Sequence, residues 1–289
     1  MKRQFGFLAA SAAIFFALSA NANAGLVITA DALYLERAEM HPYVGYVETI
    51  DPVEGTNFVG SGNLIAPNWV LMSAHQALKI NNDQSTAYSG FNFGLGSNYL
   101  TNRGEIMTAT DLYIHPSHNN SYDGWDLALL YFDNPFASAT PISLFEGEVV
   151  AGMEADIVGY GKYQMLNEEE SVHTGDRRAG TNFIYKDVTS YAHGVTTYLA
   201  RGSVTPLGMA GRPGDSGGGL IIGGELGGIV DNATTGSGLF EITGYTVIDN
   251  DWVNATMASR ASAVPEPSSL ILLLTMTTAI AFARKRKPS

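Results

Sequence analysis

Short apolar, β-rich runs recur along the chain, at residues 43–49, 58–65, 70–73, 127–132, 156–160, 220–222, 226–230 and 239–247. Clusters of turn formers separate them, such as Asn81-Asn82-Asp83, His118-Asn119-Asn120 and Thr234-Thr235-Gly236. Many short strands with frequent turn signals predict an all-β barrel or sandwich. Helical periodicity is weak. The best helix candidates are 74–79 and 252–260, the second preceded by Asp249-Asn250-Asp251 as a capping region. No internal repeat of fixed period occurs, and Glu168-Glu169-Glu170 reads as a solvated loop.

Both ends depart from this pattern. Lys2-Arg3, an apolar run from Phe5 to Ala20 and Ala22-Asn23-Ala24 make a secretory signal peptide over residues 1–24, cut by signal peptidase near Gly25. At the other end, residues 264–289 begin Val264-Pro265-Glu266-Pro267 and continue into an apolar stretch from Leu270 to Ala283. That stretch spans about 21 Å as a helix, short of a hydrocarbon core of ~30 Å. Arg284-Lys285-Arg286-Lys287 would stay on the cytoplasmic side. The tail reads as stop-transfer-like, with transient membrane association. It resembles the PEP-CTERM sorting signal of Gram-negative bacteria. That resemblance implies processing by an exosortase-type enzyme and delivery to the cell surface or the extracellular space.

Composition narrows the class. The 289 residues carry a net charge of −12, with 15% charged residues, 32 glycines and 14 tyrosines. This is neither a disordered chain nor a coiled coil. Six of the 16 basic residues and one of the 28 acidic residues lie in the end segments, which leaves the body near −17. Such a surface argues against nucleic-acid binding, which needs clustered Lys and Arg. With no cysteine, disulfides, thiolate metal sites and cysteine nucleophiles are excluded. A body of ~240 residues is long enough to bury a core without them.

One constellation carries chemistry. In Gly214-Asp215-Ser216-Gly217-Gly218 a serine sits among glycines, where its hydroxyl can be exposed and neighbouring N–H groups can converge. The string also satisfies the Gly-x-Ser-x-Gly elbow of α/β-hydrolases. That fold needs a histidine after the serine, and the last histidine is His193. The order aspartate, histidine, serine is disfavoured, because the serine should then open a helix and Leu220-Ile221-Ile222 reads as a strand. The order histidine, aspartate, serine is available. His75 ends the run from Leu64 to His75, and Asp126 opens Asp126-Leu127-Ala128-Leu129.

These segments resemble the trypsin/chymotrypsin family of serine proteases. Ser73-Ala74-His75 resembles its Ala-Ala-His motif, Asp126-Leu127-Ala128-Leu129 its Asp-Ile-Ala-Leu motif, and Gly214–Gly218 its Gly-Asp-Ser-Gly-Gly motif. The resemblance runs from about Tyr43 to Trp252. It implies two six-stranded antiparallel β-barrels, here residues 25–137 and 138–263, with a short C-terminal helix and a catalytic cleft between them. It implies Ser216 as nucleophile, His75 as general base and Asp126 as its orienting carboxylate, with the N–H groups of Gly214 and Ser216 as the oxyanion hole. Activity should fall below about pH 6.5, where histidine becomes protonated. The expected activity is that of an exported serine endopeptidase on protein or peptide substrates, with no cofactor and no metal. The competing expectation is a catalytically silent barrel acting as a surface or matrix binding protein, favoured if Arg212 or Asp231 blocks the pocket.

The primary pocket is expected around Ala210, Gly211, Asp231 and Asn232. Without an acid at Ala210 or Gly211 it should be uncharged. Gly228-Ile229-Val230-Asp231-Asn232 resembles the family's Gly-Ile-Val-Ser-Trp segment, which places Asp231 where a serine normally bonds the catalytic aspartate. Two close carboxylates repel, so either Asp231 turns away or the alignment slips there. The family disulfide beside the active-site loop is missing, and Pro213 stiffens that loop instead. No basic residue followed by Ile-Val-Gly-Gly occurs near the start. The partner of Asp215 would therefore be the cleaved end near Gly25 or another cation. Among other residues, His115-Pro116-Ser117-His118 reads as a solvated loop rather than two metal ligands. Asp249 and Asp251 read as capping residues rather than a calcium site, and Met72 as core. His41, His173 and His193 are isolated and receive no role.

Overall fold

The computed structural model describes residues 25–50, 58–78, 87–119, 124–165, 171–185, 193–200, 205–235 and 240–263. The expected signal peptide (1–24), the expected sorting tail (264–289), Asn81–Asp83 and Glu168–Glu170 lie outside them. Strand β1 (Gly25–Val27) and helix α1 (Asp31–Ala38) come first. The first sheet contains β2 (Val44–Ile50), β3 (Val59–Ala66), β4 (Trp69–Met72), β5 (Gly90–Gly94), β6 (Ile106–Thr108), β7 (Asp111–Ile114) and β8 (Ala128–Tyr131). The second half has β9 (Glu154–Gly159), β10 (Tyr163–Met165), β11 (Arg178–Tyr185), β12 (Gly194–Ala200) and β13 (Met209–Ala210). It continues with β14 (Gly219–Ile222), β15 (Glu225–Thr235), β16 (Phe240–Val247) and helix α2 (Asn250–Ala263).

The second half closes into a six-stranded barrel in the order β11-β12-β16-β15-β14-β9. The first half has the order β6-β5-β2-β3-β4-β8-β7, seven strands where six were expected. The additional strand comes from one bend. Only Ala109 and Thr110 separate β6 from β7, and their N–H groups bond in opposite directions, to Phe91 O on β5 and Tyr131 O on β8, each at 2.8 Å. Residues 106–114 thus act as one kinked strand that bridges the two edges of the sheet.

Each barrel has its own apolar filling. Val47, Leu64, Val70, Met72, Phe93, Leu130 and Phe132 fill the first, and Ile157, Val195, Leu220, Val230 and Tyr245 the second. A third cluster, with Tyr46, Leu71, Leu129, Val158, Tyr160 and Ile229, includes residues from both barrels. Strong apolar runs became strands close to their expected limits. The Thr234-Thr235 turn expectation was wrong, because β15 continues through Thr235. Of the helix candidates, 74–79 is a single 3-10 turn at Ala74–Ala77, and α2 begins under the cap expected for it: Asp249 Oδ1 accepts the Trp252 N–H at 3.0 Å.

Helix α1 had no periodic signal and is held by tertiary charge. Its N-cap, Ala30, makes no side-chain cap bond. Instead Asp31 receives both Nε and Nη2 of the fully buried Arg178, at 2.7 and 3.1 Å. At the far end Arg37 returns the arrangement, gripping Asp156 of β9 at 3.1 and 2.9 Å. His41, given no role from sequence, adds a 2.9 Å bond from Nε2 to the same carboxylate. Burial pushes Asp156 up, but the bonds and charges of His41 and Arg37 outweigh it and hold the carboxyl below its ordinary value. This double clamp lays α1 on the second barrel. It also leads from β1, which lies between β10 and β13 of that same half.

The clamp is testable. Asp31→Ala leaves a buried guanidinium short of its main partner and should cost about 3 kcal/mol. Asp111→Ala removes only the exposed pair with Arg260 at 3.0 Å and should cost less than about 1 kcal/mol. Urea denaturation of the two variants should separate them clearly.

Candidate active site

The cleft brings His75, Asp126 and Ser216 together from three separate elements. His75 sits in the 3-10 turn that follows β4. That turn is fixed by the buried Gln76, whose Nε2 donates to Ser73 Oγ at 2.8 Å and to Ser61 O at 3.1 Å. Asp126 lies just before β8, and its Oδ1 accepts the His75 backbone N–H at 2.8 Å. Its Oδ2 lies 2.6 Å from His75 Nδ1, and His75 Nε2 lies 2.9 Å from Ser216 Oγ. A carboxylate on Nδ1 fixes the proton there and leaves Nε2 as an acceptor facing the hydroxyl. Burial pushes His75 down, but the charge and hydrogen bond of Asp126 and the charge of Asp231 outweigh it and raise its pKa above the ordinary value.

The loop carrying Ser216 is built from its peptide planes. Asp215 N–H bonds Arg212 O at 2.9 Å, closing a turn with Pro213 second and Gly214 third, at φ 103°. Proline at the second place and a positive-φ glycine at the third are the demands of a type II turn. The Pro213 carbonyl accepts Lys162 N–H at 2.9 Å. Gly214 N–H belongs to the same planar trans peptide and so points the opposite way. The Asp215 carbonyl accepts Gly218 N–H at 2.7 Å, which turns Ser216 N–H outward by the same logic. Among the described residues, neither outward N–H has a protein acceptor.

The first barrel holds this loop from the other side. Ser61 of β3 donates its N–H to Ser216 O at 2.8 Å and its Oγ to Gly214 O at 2.9 Å. Ser61 Oγ also accepts Tyr160 N–H at 3.0 Å, and Asn63 Nδ2 donates to Gly217 O at 2.8 Å. Sequence reasoning missed Ser61, Asn63 and Gln76. Their signal was polar side chains within and beside runs that are otherwise apolar.

Asp215 is wholly buried and accepts the N–H groups of Gly161 at 2.7 Å and Arg212 at 2.8 Å. Burial pushes its carboxyl up to about 6, against those two bonds and the charges of Arg178 and Arg212. Two backbone amides and the charges of Arg178 and Arg212 thus act on the carboxyl. A Cβ on Gly159 or Gly161 would meet the Asp215 carboxylate, so both positions need glycine.

Asp231 does not turn away. The pairing of β15 with β16 shifts between Val230 and Asn232, so Asp231 is the unpaired residue of a β-bulge. Bulges re-aim side chains, and this one carries its carboxylate to the Asp126–His75 pair. Ligand atoms of His75, Asp126 and Asp231 all lie within 4.8 Å of one another. Burial, followed by the charge and hydrogen bond of Asp126, pushes Asp231 up to about 7. Burial also pushes Asp126 up, but the charge and bonds of His75 and the bond from Asp231 hold it below the usual range.

Ala210 and Gly211 are buried, Gly211 N–H donates to Thr243 Oγ1 at 2.8 Å, and Asn232 is half-buried on β15. Arg212 is tied to Gln164 Oε1 at 3.1 Å and Gly211 O at 3.2 Å. In the segment 115–118, Pro116 and Ser117 are exposed as a solvated loop requires, but the two histidines turn inward. His115 is buried between Trp125 and Trp252 and bonds Asp249 Oδ2 at 3.2 Å. His118 Nδ1 approaches Trp125 O at 3.2 Å and Asp126 Oδ1 at 3.6 Å. Likewise His193 stacks on Trp125, with ring centroids 4.1 Å apart.

Two β-barrels with an aligned hydroxyl, imidazole and carboxylate between them point to the serine-protease class of folds. A family model described as Trypsin matches residues 37–253, and the chain belongs to the trypsin family of serine proteases. It is 28% identical over 204 residues to a trypsin of Simulium vittatum, covering 65% of this chain and 76% of that protein. It is 27% identical over 221 residues to snake venom serine protease KN5 of Trimeresurus stejnegeri, covering 73% and 81%. A trypsin of Saccharopolyspora erythraea is 27% identical over 202 residues, covering 65% and 80%. A solved structure described as Structure of GrC shares the fold, with a TM-score of 0.58, 21% identity and coverage of 75% and 95%.

Gly214→Ala would force a left-handed φ on an alanine and place its Cβ 3.0 Å from Gly161 Cα. A loss of about 1–3 kcal/mol is expected. Gly152→Ala, at φ 89° with open space around it, carries only the conformational part and should lose less by chemical denaturation.

Proposed function

We propose that the chain is a serine endopeptidase acting on protein or peptide substrates. The observation that carries this reading is the continuous line from Ser216 Oγ through His75 to Asp126, at 2.9 and 2.6 Å. Ser216 attacks the scissile carbonyl while His75 Nε2 takes its proton and later returns it to the leaving amine. Asp126 keeps the Nδ1 proton in place and stabilises the imidazolium. The outward N–H groups of Gly214 and Ser216 bind the developing oxyanion. The acyl-enzyme is then hydrolysed by the same groups acting on water.

The primary pocket is read as uncharged. Its floor is Ala210 and Gly211, with Thr243 Oγ1 taking the Gly211 N–H. A small or medium uncharged side chain fits such a floor, and a lysine or arginine finds no counter-charge on it. Export is part of the same proposal: signal peptidase frees the body near Gly25, and the tail is processed at the membrane by an exosortase-type enzyme.

A fluorophosphonate probe tests the nucleophile. The unmodified protein should be labelled and Ser216→Ala should not; failure to label either would favour the silent binding barrel. Because Asp126 favours the imidazolium, neutral His75 appears only above the ordinary value of about 6.5. The labelling rate should therefore rise with pH through neutrality, later than an unperturbed histidine would allow. Among peptide nitroanilides, those ending in alanine or valine should be cleaved at least about tenfold faster than those ending in lysine or arginine, the discrimination expected when a cation meets an uncharged pocket.

A further inference from the structure

We propose that Asp231 is a positioning residue that works as a neutral carboxylic acid, donating its proton to Asp126 and holding that carboxylate against His75. This rests on the endopeptidase reading of the same site. Asp126 already receives His75 on both oxygens, the backbone N–H on Oδ1 and Nδ1 on Oδ2. The Asp231 carboxyl is a third group beside it, with ligand atoms of Asp231, Asp126 and His75 all within 4.8 Å of one another. A bond between two carboxyl groups requires a proton, because two bare carboxylates at that separation repel and neither can donate. Asp126 keeps its charge through His75, so the proton resides on Asp231. The bulge between Val230 and Asn232 aims the side chain there. Val230 itself is locked to the nucleophile loop by Gly217 N–H to Val230 O and Val230 N–H to Gly218 O, each at 2.8 Å.

The groups facing Asp231 define its behaviour. Asp126 comes from the segment before β8 and His75 from the 3-10 turn. His118, after β7, stands behind Asp126 at 3.6 Å. A hydroxyl or amide in this place would donate at every pH. A carboxylic acid donates only while protonated. When it ionises, the bond to Asp126 is lost and a second negative charge stands beside His75, which strengthens the hold of the imidazole on its own proton. The site therefore works within a pH window. His75 must be neutral and Asp231 must be protonated, and each condition shifts the other.

The test compares the full chain with Asp231→Asn, which keeps an N–H donor and cannot ionise. The readouts are the pH dependence of fluorophosphonate labelling and the NMR titration of the His75 imidazole. The unmodified protein should show an alkaline fall of about tenfold, absent in Asp231→Asn, and His75 should titrate lower in the variant. An alkaline fall shared by both proteins, or an unchanged His75 titration, overturns the proposal. If neither protein is labelled at any pH, the endopeptidase reading fails, and the His75 titration alone decides the role of Asp231. Asp231→Ser serves as the second variant if the asparagine disturbs folding. A labelling rate in the unmodified protein that stays level into the alkaline range overturns the proposal without any variant.

Discussion

The seam between β3 and the 212–218 loop is the constraint on which the site depends. Ser61 bonds Ser216 O, Gly214 O and Tyr160 N–H, while Asn63 reaches Gly217 O. With those carbonyls taken from one side and Pro213 and Asp215 carbonyls taken by Lys162 and Gly218, the peptide planes of the loop have little freedom. Planarity then directs the Gly214 and Ser216 N–H groups to the open side. Gln76 ties the His75 turn to the same Ser61 carbonyl, so the histidine and the serine are referred to one strand.

Charge is distributed with a similar economy. The acidic body is no surprise on a surface, but Asp126, Asp215 and Asp231 are enclosed in the middle of the molecule, and each is satisfied differently. Asp126 is held ionised by His75. Asp215 leans on two backbone amides and is pushed up by burial. Asp231 is pushed higher still, by burial first and then by Asp126 beside it. Two further acids, Asp31 and Asp156, pin the N-terminal helix through Arg178 and Arg37. With no cysteine for cross-links, buried ion pairs and main-chain hydrogen bonds hold the connections outside the apolar cores.

The sequence by itself determined a good deal. The short apolar runs of β4, β8 and β14, bounded by turn formers, read as strands and are strands. The three segments around His75, Asp126 and Ser216 carried their chemistry in local residue types, and chain order distinguished this fold from other serine hydrolase orders. Asp249 announced α2 through an ordinary cap. Other features needed contacts across the fold. Helix α1 exists because Asp31 meets a residue 147 positions away and Arg37 one 119 positions away, and no local periodicity reports such partners. The kink at Ala109-Thr110 follows from a strand changing neighbours to close a barrel. The place of Asp231 was decided only by a bulge in β15. Side chains in a strand alternate faces, so one unpaired residue moves a carboxylate from one side of the sheet to the other, and a linear reading cannot see which residue the partner strand will skip.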